Sequence, residues 1–365
     1  MGGALKVGVV GVGKISEQYF AQFPTLPGLE LVAVSDMDSS RASAVAAEQG
    51  AEALSVSELI DDPRIEAVLN LTIPAAHVEI GTRALEAGKH VFAEKPLALA
   101  PGEAVAMLRL AEERGLRIGS APDTVLGTGV QTARTMLDDG RIGDPISAAA
   151  HWSAPGHERW HPAPDFYYQP GGGPLFDMGP YYLTSFVTLL GPVARVFGTA
   201  TRSNRARVVG SGPRAGSPIE VDVDTHISAT LIHESGLTST ITVSFDVWAT
   251  RAPKMELYGT SGTISVADPN RFSDPTEIWS VDAPEWAVAA PSGGYADAGR
   301  GVGLADMAHA IETDRPHRAS GELAFHVLEI MDAVLASGRD GRVVEVTSTV
   351  ERPAAVPDGA RPDTW

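Results

Sequence analysis

Three side chains in this sequence have types and neighbours suited to handling a hydroxyl: Lys95, Asp177 and Tyr181. Lys95 stands in Glu94-Lys95-Pro96, directly after the apolar run of residues 90–93. Proline removes a backbone donor and holds its predecessor extended, so a strand over 90–93 stops there and presents the ammonium in a set direction. Asp177 and Tyr181 lie in Gly171-Gly172-Gly173-Pro174-Leu175-Phe176-Asp177-Met178-Gly179-Pro180-Tyr181-Tyr182. A helix over about 177–190 puts both on one face. Pro180 fits such a helix only in its first turn, and Gly179 leaves room for something to approach the backbone. A carboxylate and a phenol on one face can hold a hydroxyl and take its proton. A phenol, with an ordinary pKa of about 10, is a weak base unless an ammonium such as that of Lys95 favours the phenolate. The plain alternatives are a solvated turn lysine, an N-cap aspartate and a core tyrosine.

The elements that must position these groups begin at the N-terminus. Residues 5–10 form a valine-rich run read as a buried strand, entering Gly11-Val12-Gly13-Lys14-Ile15-Ser16 and then a helix over 17–23. Gly11 permits the tight turn, Gly13 lets the backbone approach a pyrophosphate, and the helix start favours an anion. Ser16 stands where the usual fingerprint has its third glycine, so the motif is imperfect. A second strand over 29–35 ends at Asp36, placed to accept the adenosine ribose hydroxyls. That carboxylate repels a 2′-phosphate and favours NAD over NADP; Arg41 could instead accommodate the phosphate, and Asp36 could instead cap the helix over 39–48. Strands over 67–72, 90–93 and 116–119 alternate with helices over 77–87 and 104–114, closed by Gly88 and Gly115. This alternation means a doubly wound parallel sheet, a Rossmann domain, and ligands bind such sheets at the carboxyl ends of the strands.

The pattern changes after residue 120. A helix over 125–138 and a strand over 146–152 precede a stretch, 153–174, rich in proline, glycine, histidine and aromatics and without any period. A loop of that length in a compact domain is usually functional or disordered, and its aromatics argue against disorder. Trp160 and His161 in it are expected to line a substrate pocket with Asp123. Beyond 193, alternating runs over 222–232 and 240–247 and a hairpin around residues 259–262 read as half-buried antiparallel strands. Residues 267–300 read as loops, 304–311 and 321–335 as helices, the second with Ser320 as N-cap. The expected division is a nucleotide-binding domain over 1–121, a substrate-binding and oligomerisation α+β domain over 122–350, and a flexible tail over 351–365.

Bulk properties narrow the partners. A chain of 365 residues is long enough for two domains, and its net charge of −18 disfavours nucleic acid and acidic membranes. With no cysteine there is no disulfide or thiol chemistry. No stretch reaches 18 apolar residues and no signal-peptide pattern precedes the glycine turn, so the expectation is a cytoplasmic protein. His151, His157 and His161 lie close in sequence but lack the neighbours of a metal motif, and no metal is expected.

The glycine turn, Asp36, the Thr72-Ile73-Pro74-Ala75-Ala76-His77 run, the Glu-Lys-Pro segment and the triple-glycine segment together resemble the glucose–fructose oxidoreductase, inositol dehydrogenase and rhizopine catabolism family (Gfo/Idh/MocA) over roughly residues 5–345. The resemblance implies a Rossmann domain followed by a domain on an open, mostly antiparallel sheet. It also implies NAD(P)-dependent oxidation or reduction at a sugar or cyclitol hydroxyl or ketone, in a homo-oligomer, dimer or tetramer, built through that sheet. Lys95 matches the family lysine between nicotinamide and substrate, and Asp177 its substrate-binding aspartate. Tyr181 falls where most members have a catalytic histidine, as in a minority with tyrosine. Lys14, Ile15, Thr72, Pro74, His77 and Glu94 join Gly11, Gly13, Asp36, Arg41 and Lys95 as expected cofactor contacts. Thr184 replaces a further aspartate common in the family, and Pro122-Asp123-Thr124 replaces an Arg-Phe pair. The reading is therefore an NAD-dependent dehydrogenase acting on a secondary hydroxyl of a sugar, cyclitol or glycoside. The alternative is a non-catalytic nucleotide- or sugar-binding sensor on the same fold, which could lose Lys95 or Asp177 without harm; this chain keeps both.

Overall fold

The computed structural model describes residues 3–26 and 28–362. The chain forms two compact units. The first is built from residues up to Gln131, Pro291–Leu328 and the residues from Pro353, the second from Thr132–Ala290 and Glu329–Arg352.

In the first unit, β1 (Leu5–Val10), β2 (Leu29–Ser35), β3 (Glu52–Ala53), β4 (Ala67–Asn70), β5 (His90–Ala93) and β6 (Ile118–Ser120) pair in the order β3-β2-β1-β4-β5-β6, all parallel. The helices α1 (Ser16–Gln22), α2 (Ser39–Gln49), α3 (Val56–Asp61), α4 (Pro74–Glu86) and α5 (Pro101–Arg114) alternate with them. All four residues of β4 are buried, as expected of a parallel strand covered on both faces. Because the strands are parallel, the residues after β1, β2, β4 and β5 share one edge. The helix α6 (Thr128–Asp138) follows a short turn of 3₁₀ helix, Thr124–Leu126, with Gly127 between them, where the sequence suggests one continuous helix.

In the second unit, nine strands form one mixed sheet: β7 (Pro145–Ser153), β8 (Val193–Thr201), β11 (His226–His233), β12 (Thr238–Ser244), β13 (Met255–Gly259), β14 (Gly262–Val266), β15 (Glu277–Ser280), β16 (Ala283–Val288) and β17 (Val344–Glu345). A short ribbon of β9 (Arg207–Val208) and β10 (Pro218–Ile219) stands apart. The nine-stranded order is β16-β15-β14-β13-β7-β12-β11-β8-β17, with β7 and β12 parallel and the other pairs antiparallel. Alternate residues of β11, Ile227, Ala229 and Leu231, turn into the core. The helix α7 (Gly173–Leu190) packs on β11 and β12. The chain also contains α8 (Val302–Thr313) and α9 (Gly321–Asp340), the latter with the Ser320 hydroxyl accepting from the Leu323 amide at 3.2 Å.

Several sequence expectations give way here. The hairpin β15–β16 occupies part of 267–300, read as loop; every residue of β16 is exposed, so no alternation marked it. Residues 291–328 fall in the first unit, with the parallel sheet, rather than in the second. Part of the expected flexible tail is anchored: Val356 is 1% exposed, its amide donates to Gln131 Oε1 at 2.9 Å, and its carbonyl accepts from Gly294 at 2.8 Å. Arg318 also donates to the Ala354 carbonyl at 2.9 Å. Helix α7 starts at 173, four residues before the expected start, with Pro174 in its first turn. Pro180 is therefore inside the helix, where it cannot donate to the carbonyl four residues back. Gly179 does give close approach, but to core side chains: a Cβ there would meet Leu175 at 3.0 Å and Met331 at 3.4 Å.

Candidate active site

At the shared edge of the parallel sheet, the turn after β1 is shaped by contacts only glycine allows. Gly11 has φ +94, and a Cβ would meet the Leu71 and Thr72 main chain at 2.8–2.9 Å. A Cβ on Gly13 would have nothing within 4 Å, so this turn is open on its outer side. Ser16 replaces the third glycine by folding inward: its hydroxyl donates to the Gly13 carbonyl at 2.7 Å. Asp36 follows β2 and reaches back to this turn, accepting from the Val12 amide at 2.9 Å. Its other oxygen accepts from Asp38 at 2.9 Å and lies 3.7 Å from Arg41. The N-cap of α2 is Asp38, which accepts from Ser40 and Arg41, so the capping alternative for Asp36 does not hold. Beside the turn is a groove of about 820 Å³ lined by Val12, Gly13, Lys14, Glu17, Arg41 and Glu48, among others. An open glycine turn beside a strand-end acid fits a dinucleotide.

Next along the edge come Thr72 after β4 and Lys95 after β5. Thr72 donates to Asn70 Oδ1 at 2.6 Å, and Pro74 opens α4. Lys95 is half-buried. Its neighbour Glu94 is buried and accepts from the Tyr19 hydroxyl at 2.8 Å and the Lys95 amide at 3.1 Å. Burial pushes the Glu94 carboxyl up, but the Arg300 and Lys95 cations outweigh it and hold it below the usual carboxylate range. Glu94 thus supports Lys95 from within the protein rather than facing a cofactor. His77 is also reassigned: it is 1% exposed, with Nδ1 2.7 Å from the Pro96 carbonyl and Nε2 3.0 Å from the Thr72 carbonyl. Burial outweighs those two carbonyls and keeps the imidazole below its ordinary value; a neutral ring donates to one of the two carbonyls and lies against the other.

Asp123 is another correction. It is fully buried, and Oδ2 accepts from the Gly301 and Gly303 amides at 2.8 and 3.1 Å, at the start of α8. A carboxylate belongs at that positive helix end, while its other oxygen, Oδ1, is buried without a hydrogen-bond partner. Burial raises its pKa despite Arg300 and the two amides. Arg300, 7% exposed, acts electrostatically on both Asp123 and Glu94, and no motif in the sequence announces it.

In the second unit, every residue of α7 is buried except Asp177. Starting at 173 places Asp177 in the second turn, which excludes the N-cap alternative. Tyr181 follows one turn later and is 5% exposed. Asp177 Oδ2 lies 2.8 Å from His157 Nε2, with side-chain exposures of 15% and 12%. Sequence reasoning did not place His157 in the site; its only signal was its position in the aperiodic aromatic loop. That ring packs against Tyr167, Phe245, Trp160 and Trp152 at centroid distances of 4.6, 4.9, 5.3 and 5.7 Å. Trp160 is 59% exposed and reaches His157 Nδ1 through its indole N–H at 3.2 Å; His161 meets Trp160 edge to face at 5.4 Å between centroids. The loop is anchored by Glu158, which accepts from Arg205 and Arg207 at 3.0 Å and from the Tyr168 hydroxyl. Arg207 continues to Asp246 and to the Phe245 carbonyl at 3.1 Å. Burial pushes the Glu158 carboxyl up, but Tyr168 and Arg207 outweigh it and hold it down.

Among the described residues no helix is long and apolar enough to cross a membrane, and no group of three His, Cys, Asp or Glu could hold a metal ion.

Comparison with known proteins agrees with this architecture. Residues 5–121 match the oxidoreductase family model with NAD-binding Rossmann fold, and residues 130–265 match the GFO/IDH/MocA C-terminal domain. The chain is 33% identical over 233 residues to dTDP-3,4-didehydro-2,6-dideoxy-alpha-D-glucose 3-reductase of Streptomyces violaceoruber, covering 63% of this chain and 66% of that protein. It is 32% identical over 163 residues to inositol 2-dehydrogenase 3 of Saccharopolyspora erythraea, covering 44% of this chain and 48% of that one. The matched stretches thus span about two thirds and about half of those relatives. A solved NAD-binding oxidoreductase from Klebsiella pneumoniae shares the fold at TM-score 0.81, with 23% identity over 95% of this chain and all of that one.

Proposed function

Because the chain belongs to the Gfo/Idh/MocA oxidoreductase family, we propose that it is an NAD-dependent dehydrogenase acting on a secondary hydroxyl of a sugar, cyclitol or glycoside. The observation that carries the reading is Lys95, half-buried between Glu94 and Pro96 in the chain, on the same sheet edge as the open glycine turn and Asp36. The names of the relatives, a sugar reductase and an inositol dehydrogenase, support the substrate class.

Bound NAD would supply the nicotinamide carbon that takes the hydride. Gly11, Gly13, Lys14, Ile15, Thr72 and Pro74 are the proposed cofactor contacts beside Lys95, with Asp36 taking the ribose hydroxyls. Arg41 is within 4.0 Å of both Asp36 and Asp38, which occupies its charge and favours NAD over NADP. In the oxidation direction the substrate loses a proton from oxygen and a hydride from carbon. Lys95 is the proposed cation that stabilises negative charge growing on that oxygen, and Tyr181 the proposed proton acceptor. Asp177, the one residue of α7 not buried, binds substrate hydroxyls. Trp160 and His161, on the loop whose His157 meets Asp177, are proposed substrate contacts. General-base help of this kind is worth about 10²–10⁴ in rate. We further propose a cytoplasmic homo-oligomer built through the second unit's sheet.

The test mixes purified protein with NAD or NADP and a panel of sugars and cyclitols while absorbance of reduced nicotinamide is followed. Turnover with NAD on at least one ring polyol is expected. Tight nucleotide binding with no turnover on any member, in either direction, would leave the sensor reading in its place.

A further inference from the structure

The contacts of His157 fix its tautomer. An indole N–H is a donor only, so the 3.2 Å contact from Trp160 Nε1 requires a bare lone pair on His157 Nδ1. The ring hydrogen then sits on Nε2, 2.8 Å from Asp177 Oδ2, and donates to the carboxylate. Tyr167, Phe245 and Trp152 hold the plane of the ring, with Tyr167 nearest at 4.6 Å between centroids. Both nitrogens are engaged in this state, so the imidazole cannot accept a substrate proton without giving up Trp160. Its effect therefore passes through Asp177.

We propose that His157, held as its Nε2–H tautomer by Trp160, is the positioning residue that orients the Asp177 carboxylate toward substrate. The proposal rests on the reading of Asp177 as the substrate-binding carboxylate. It links the exposed end of the aromatic loop to the one residue of α7 that is not buried. A neutral donor suits this task, because it fixes the direction of the carboxylate without neutralising the charge that attracts hydroxyl donors. The arrangement is the same in kind as the outer hydrogen bonds that orient the ligands of a metal site.

Two measurements test it. Protein labelled with ¹⁵N-histidine gives two-bond correlation spectra in which each tautomer has its own pattern, and the His157 signals are those missing from His157→Gln. The Nε2–H pattern is expected near neutral pH, with a shift toward mixed tautomers in Trp160→Phe. An Nδ1–H or imidazolium pattern in the wild-type protein would overturn the proposal, whether or not any substrate is turned over. The second measurement is kinetic, on a substrate found by the panel. His157→Phe keeps the ring and removes the donor, and should raise KM by about 10- to 100-fold with a smaller change in kcat. His157→Gln keeps an N–H in reach of Asp177 and should stay within about fivefold of wild type in KM. The opposite order, with Phe tolerated and Gln impaired, would make His157 a packing residue only. Melting temperature and NADH binding of each variant confirm that it is folded. If the wild-type protein turns over nothing, the dehydrogenase reading fails, while the spectra still decide the role of His157.

Discussion

The edge that carries Lys95 and the helix that carries Asp177 are supported by different means. At the edge, main chain does most of the positioning: parallel strands end together, Gly11 crosses the chain after β4, and His77 lies between two carbonyls. The charged groups behind it, Glu94, Arg300 and Asp123, are all buried. Around Asp177 the main chain supplies only a buried helix, and side chains do the rest. His157 comes from an irregular loop, and that loop is held by the Glu158–Arg207–Asp246 chain of ion pairs. A regular sheet edge tolerates changes in single side chains, because its geometry lies in the ladder. A loop site held by a few charged groups should lose both order and function when one of them goes.

The largest effect should come from Lys95→Met. If Lys95 stabilises the reacting oxygen, kcat should fall by about 10³-fold or more while NAD affinity stays within about tenfold, read by turnover and by NADH fluorescence titration. Parallel loss of both would make Lys95 a cofactor contact alone. Arg207→Met probes the other region. It removes the cation shared by Glu158 and Asp246 while Arg205 still pairs with Glu158, so the loss should lie below the cost of breaking a buried ion pair outright, about 3–5 kcal/mol. The melting temperature should drop accordingly; an unchanged value would mean that the ion chain does not hold the loop.

Tyr181→Phe comes next, with an expected fall of about 10²-fold in kcat and little change in KM. Since Tyr181 is only 5% exposed, near-normal kcat with a full deuterium effect on hydride transfer would show that the phenol is core packing. Asp36→Ala should narrow the preference for NAD over NADP by about tenfold, measured as the ratio of kcat/KM values. A wild-type preference for NADP would assign that choice to Arg41 instead.

The smallest effect should be that of Asp123→Asn, where the amide oxygen can still accept from Gly301 and Gly303. Burial raises the Asp123 pKa in the folded protein, so the folded state holds that proton more tightly than the unfolded chain. Its contribution is fully present below the unfolded value, in the usual carboxylate range, and is lost as pH rises through the raised folded value. The variant should therefore lose part of the decline in stability over that window, with a change of about 1 kcal/mol or less near neutral pH, read by denaturant melts across pH. A steeper decline in the variant would reverse the sign of this argument.

Much of the fold was legible in the residues. Buried parallel strands are short apolar runs bounded by helices, and β1, β2, β4 and β5 fall where those runs occur. The glycine turn, Asp36 and Lys95 could be placed because their positions follow from where strands end. The sequence also carried the α7 segment, since Gly173, Pro174 and the apolar run after them specify a helix, although its start was read four residues late. That error came from treating Pro180 as a boundary; in this helix the buried packing outweighs the missing hydrogen bond.

Tertiary structure alone decided which polar residues face inward. Asp123 and Trp160 look alike as loop candidates, yet one anchors α8 from the core and the other is mostly exposed. Arg300 acts on Glu94 from a position some 200 residues later, and Arg207 meets Glu158 across 49 residues. No local period encodes such pairs, because they depend on how distant loops pass each other. His157 is the sharpest instance: it lies twenty positions before Asp177, across an irregular loop and the first turn of α7, and the packed aromatic rings turn its Nε2 toward that carboxylate. Periodic burial is a property of short windows, so the sequence determined the scaffold and the strand-end residues. Contacts between irregular segments depend on the whole folded chain, which is why they appeared only in three dimensions.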